Sequence, residues 1–182
     1  MHRKEPLLAA LQDYRPADEE EQSYFGAIRQ ILLSPRNPFD RNRFRPGHIT
    51  ASAFVLSPDR ANVVLLHHAK LNRWLQPGGH VEPSDASVAA AAAREVLEET
   101  GLNVGAADEL ENSPPFDLDI HPIPARPDSP THHHFDVRFL WVAKTSQLRL
   151  SDESSALDWV PISEITQRSD SKSMHRVQQK LQ

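Results

Sequence analysis

The chain has 182 residues, 38% of them hydrophobic, with 20 Lys and Arg against 25 Asp and Glu for a formal net charge of −5. That size suits one domain with a modest extension, and the acidic balance argues against stable nucleic-acid binding, whose affinity rests on Lys and Arg against phosphates. There is no cysteine for a disulfide or a thiolate zinc site, no apolar run long enough to span a bilayer and no signal-peptide core, so a cytoplasmic protein without a membrane partner is expected.

Residues 1–46 read as an N-terminal helical extension and linker. The segments "PLLAALQDY" and "EEEQSYFGAIRQILL" are both amphipathic; in the second, Phe25, Ile28, Ile31 and Leu32 recur at helical spacing. The prolines of "SPRNPFDRNRFRPG" then forbid further helix. A homodimer surface is one use for these helices. Residues 47–182 form the main domain. "HITASAFVLS" and "NVVLLHHAK" read as strands around a "PDR" turn. After a central helix come "FDLDIHPIP", "THHHFDVRFLWVAK", "LRL" and "ALDWVP", short and rich in branched or aromatic residues, and these too read as strands. The tail from Ser163 is expected to be helical. Strands on both sides of a helix predict an α/β architecture, a mixed sheet covered by helices.

The central helix carries the chemistry. It follows Pro77, Gly78 and Gly79, with Ser84 or Asp85 expected as its N-cap. Ala89 to Ala93 have the highest helix propensity available, and Gly101 is placed to stop the helix. At about 100° per residue, Glu95, Glu98 and Glu99 fall on one face, and Ala89, Ala90, Ala93, Val96 and Leu97 on the other. Glu95 and Glu99 are four apart and repel by a few tenths of a kcal/mol. Arg94 lies four before Glu98 and can hold that side chain. A solvated acidic face is the plain alternative, but the negative charge sits towards the C-terminal half, where the helix dipole disfavours it. A hard divalent cation resolves the conflict, because Mg²⁺ takes oxygen ligands from a few carboxylates plus substrate phosphates.

The stretch "GHVEPSD…REVLEETGL" resembles the box of the Nudix hydrolases: Gly, five residues, Glu, seven residues, then Arg-Glu-apolar-any-Glu-Glu-any-Gly-apolar. Arg94 to Leu102 match the second half in full. The first half begins at Gly79, has Asp85 where the pattern has Glu, and holds one extra residue before Arg94. The resemblance implies a Nudix-like α/β/α sandwich with a mixed sheet, and metal-assisted attack of water on a diphosphate, with Mg²⁺ or Mn²⁺ as cofactor. Carried over, Glu95, Glu98 and Glu99 are metal ligands, Arg94 orients Glu98, and Gly79 lets the backbone turn close to the metal. The implied partner is a small-molecule diphosphate.

Other motifs are weaker. Lys70, Arg73 and Trp74 lead into the box and are candidates to grip a phosphate or stack on a flat group of the substrate. Glu153, with Asp152 as competitor, is expected to add a carboxylate as a further ligand or as the base for the attacking water. His132 and His134 share a face of one strand. They read as the rim of a substrate pocket, the alternative being a zinc or other transition-metal site completed by His67 and His68. The two classes to separate are a pyrophosphohydrolase and a non-catalytic module of the same fold. A histidine metalloenzyme of another mechanism ranks third. The intact "REVLEE" favours the enzyme.

Overall fold

The computed structural model describes residues 3–69, 72–106, 110, 113–151 and 154–182. Strand β1 (Gly47–Leu56) is buried along its whole length. A run of small and apolar residues that alternates between two covered faces requires this. β1 is the hub of the sheet. It pairs in parallel with β6 (His132–Val142), and antiparallel with β4 (Gly78–His80) and with the start of β2 (Asn62–His68). β3 (Arg73–Leu75) and β7 (Ser154–Pro161) pair with β2, and β5 (Asp117–Ile123) with β6. Among the described residues this is one seven-stranded mixed sheet.

The alternation of β1 sorts the two helical layers. Ile49, Ala51, Ala53 and Val55 face α1 (Lys4–Ala10), α2 (Glu19–Leu33) and α3 (Val88–Thr100), burying Leu7, Leu11, Ile28, Ile31, Leu32, Ala92 and Val96 in one core. Phe54 and Leu56 face the opposite way, towards α4 (Ile165–Arg168) and α5 (Lys172–Leu181), with Val63, Leu65, Met174 and Val177. The mixed sheet between helical layers is the expected α/β/α sandwich. The N-terminal helices share the core of the strands, and Arg3 Nη1 donates to the carbonyls of Glu82 and Asp85, in the loop before α3. No helix of the described residues is long and apolar enough to cross a membrane.

Three local expectations are corrected. Ser87, not Ser84 or Asp85, caps α3: its side chain accepts from the amide of Ala90. Asp85 is occupied elsewhere, because its Oδ2 accepts from the amide of Glu82 at 2.7 Å. Leu97 is 45% exposed. The helix buries Val88, Ala89, Ala90, Ala91, Ala92 and Val96, and Ala93 is partly buried. "LRL" forms no strand; the Arg149 amide donates to the Thr100 carbonyl at 2.8 Å, so the end of α3 supplies the partner that a sheet edge would have supplied. The left-handed Gly101 (φ 74°) ends α3 as expected.

On the α4–α5 face the sheet carries a buried ionic network. Asp117 accepts from Arg138 on β6 (3.1 Å), and from Arg176 (2.9 Å) and Lys180 (2.9 Å) on α5. Arg138 also donates to Asp119 and Asp136 at 2.9 and 3.1 Å. Asp136 in turn accepts from Thr50 and Ser52. Burial opposes ionisation of Asp117, yet the surrounding cations hold its carboxyl below the ordinary range.

Candidate active site

Arg94 organises the acidic end of α3. Its Nε donates to Asp85 Oδ1 at 3.0 Å, its Nη1 to Glu95 Oε1 at 2.9 Å and to Glu98 Oε2 at 3.1 Å, and its Nη2 to the His80 carbonyl at 2.9 Å. One guanidinium is thus shared by three carboxylates and tied to strand β4. Holding Glu98 is only part of its work. Asp85, in the position where the family pattern has Glu, is a structural partner of Arg94 and is buried.

Glu99 accepts from the Gly78 amide at 2.8 Å, so the helix also holds the strand from its other carboxylate. β4 alternates: Gly79 faces α3, and His80 faces the opposite side of the sheet. A Cβ on Gly79 would lie 2.5 Å from Glu95 Oε1. A side chain at this position would displace that carboxylate. Burial pushes the Glu95 carboxyl above its ordinary range, and Arg94 only partly offsets this. Glu98 is the open member, with 57% of its side chain exposed. Glu95 and Glu99 thus meet the Gly78–Gly79 turn, and Glu98 stands in solvent on the same helix. Carboxylate oxygens beside a glycine turn are the donor type that a hard divalent cation takes.

Of the predicted substrate residues, Arg73 is exposed on β3. Trp74 is half-buried and packs with the Met174 cluster on the face opposite α3. The Arg168 guanidinium sits 5.0 Å from its ring centroid. Trp74 is therefore not gathered with the carboxylates. Lys70, Asp152 and Glu153 lie outside the described residues.

His132 and His134 do share a face, but their companions are not His67 and His68. His67 instead meets Ser155 and Trp74 at the β2–β7 side. β-pairing sets His48 opposite His134, and Thr50 opposite His80, so His48, His80 and His134 converge with ring centroids 4.8–5.3 Å apart. Burial, with the neighbouring rings, lowers His134 to about 2 and His80 to about 4. Arg41 and Arg126 also lower His80. Sequence reasoning missed His48 and His80 because each is a lone histidine in its own strand, and only the register brings them together.

Comparison with known proteins bears on the family and the fold. Residues 46–180, well over half of the chain, match the family model described as NUDIX domain. No curated protein matches the chain. A MutT NUDIX hydrolase from Burkholderia pseudomallei is similar with a TM-score of 0.55 at 19% identity, covering 74% of this chain and 97% of that one. A NUDIX-family hydrolase from Clostridium perfringens is similar with a TM-score of 0.53 at 24% identity, covering 74% and 95%. These likenesses show the fold.

Proposed function

The chain belongs to the NUDIX family, and from that premise we propose that it is a pyrophosphohydrolase that cleaves a phosphoric anhydride in a small nucleoside-diphosphate-linked or related substrate, with Mg²⁺ or Mn²⁺. The observation that supports this most directly is the sharing of one guanidinium, Arg94, by Asp85, Glu95 and Glu98 beside the glycine turn. Glu95, Glu98 and Glu99 would hold the cation. When bound, it would neutralise phosphate oxygens and lower the pKa of the attacking water. Arg94 keeps Glu95 and Glu98 splayed towards the turn. Gly79 lets the backbone turn close to the cation, beside Glu95. Glu153, or failing it Asp152, accepts the proton of the water. Lys70, Arg73, His132 and His134 are our candidates for substrate contact. Trp74 keeps that role only if it can leave its packing against Arg168.

A panel of diphosphates incubated with Mg²⁺, their monophosphate products followed as phosphate set free by an added phosphatase, tests the proposal. One member should be hydrolysed only with the cation. Glu98→Gln should slow it 100-fold or more, about 2.7 kcal/mol of transition-state stabilisation. Hydrolysis by Glu98→Gln at the wild-type rate would refute the assignment. Glu153→Gln compared with Asp152→Asn at saturating Mg²⁺ identifies the base by which variant is slow.

A further inference from the structure

His48 on β1, His80 on β4 and His134 on β6 each offer one ring nitrogen, and these nitrogens lie within 4.8 Å of one another. His132 and His121 flank them, with ring centroids 5.1 Å from His48 and 5.5 Å from His134. The group lies on the face of the sheet opposite the box helix. A pocket rim would turn its polar atoms to water, but His48 is only 1% exposed.

The hydrogen bonds define what these rings present. His48 Nδ1 is 3.3 Å from the Arg43 carbonyl oxygen. A carbonyl only accepts, so Nδ1 carries the proton and Nε2 keeps its lone pair. That Nε2 is buried and has no hydrogen-bond partner. A buried acceptor left without a donor is costly. The flanking rings follow the same rule. His132 Nδ1 donates to the Pro130 carbonyl at 2.8 Å, and His121 Nδ1 to Asp119 Oδ2 at 2.9 Å. Giving one ring nitrogen to a carbonyl or carboxylate and leaving the other bare is how imidazoles are prepared as metal ligands. A phosphate would not suit the site, because its oxygens would meet lone pairs.

We propose that His48, His80 and His134 bind a first-row transition cation of the zinc class, separately from the carboxylates of the box. An all-imidazole set selects such ions over Mg²⁺. Bonds of about 2.0–2.1 Å place tetrahedral ligands about 3.4 Å apart, so small rotations of the rings from 4.8 Å close the site. Water or His132 fills the fourth position. Arg41 and Arg126 oppose the charge and keep the affinity below that of a thiolate site. The ion would join the start of β1 to β4 and β6. In doing so it would fix the strand that carries Gly79 beneath Glu95. The sequence favours a pocket rim for His132 and His134; the orphaned His48 and the arrival of His80 favour the metal. The inference stands independently of the hydrolase assignment.

The test uses the full chain without a histidine tag, titrated with Co²⁺ in excess Mg²⁺. One equivalent should bind with visible absorption of four-coordinate intensity. His80→Asn and His134→Gln should each weaken that binding at least tenfold, and Glu98→Gln should leave it unchanged. In the wild-type protein, solvent-exchangeable imidazole N–H resonances should be paramagnetically shifted, a readout that does not depend on any variant folding. The proposal is overturned by no stoichiometric Co²⁺, by Co²⁺ held equally in the histidine variants, by its loss in Glu98→Gln, or by the absence of shifted imidazole protons.

Discussion

Asp117 and Arg94 are opposite cases of the same problem. Asp117 is one carboxylate receiving three cations, Arg138, Arg176 and Lys180, and its side chain is fully buried. Arg94 is one cation shared by three carboxylates, and Glu98 among them is 57% exposed. The first arrangement leaves its acid over-satisfied and dry, as a structural network must be. The second leaves one of its acids, Glu98, in solvent beside a glycine turn. Two ionic clusters thus separate into one closed off between the sheet and α5 and one open at the end of α3.

The comparison can be broken at either end. The largest effect is expected at the buried end. Asp117→Asn removes the charge from beneath three cations and should lower stability by about 3–5 kcal/mol, measured by urea unfolding, with turnover per folded molecule kept. Glu98→Gln should do the reverse: a rate loss of 100-fold or more with stability within about 0.5 kcal/mol of wild type. If both variants lost stability equally, the two clusters would be of one kind.

Acid sharpens the contrast between the ionic clusters and the histidines. In the metal-free protein, His80 and His134 have folded values of about 4 and about 2, against 6.5 for the free side chain. Below 6.5 the unfolded chain takes up protons that the folded rings refuse, so stability should fall as pH drops from 7 to 5. About 1 kcal/mol is expected after discounting for solvent screening. Asp117 and Asp119 are held below 3.8, so their contribution is still whole at pH 5 and is lost only as pH falls further. A melting temperature flat between pH 7 and 5 would show that the rings are not buried as neutral groups. The smallest expected effect is Ser87→Ala, about 1 kcal/mol for a lost N-cap. Ser84→Ala, one of the caps expected from sequence, should cost almost nothing.

The carboxylate cluster was legible because the box is local: Arg94, Glu95, Glu98 and Glu99 lie within two turns, and helical spacing alone aligns them. The long strands β1, β2 and β6 were legible from branched and aromatic runs. β3 and β4 were not, since three-residue strands containing glycine have no propensity of their own and exist only by pairing with β2 and β1. Leu97 was misplaced because an apolar residue at helical spacing need not lie under a packed neighbour. Asp117 with Arg176, and His48 with His80 and His134, depend on register and long-range packing, which one-dimensional periodicity does not contain.

Glu98, the exposed glutamate of the box, serves a cation and not the fold. Mn²⁺ binding to Glu98→Gln, followed by electron paramagnetic resonance beside a thermal melt, tests this most directly. The account predicts at least a tenfold loss of Mn²⁺ affinity with a melting temperature equal to or above that of wild type. Unchanged Mn²⁺ affinity, or a collapse of the melt with the affinity retained, would contradict it.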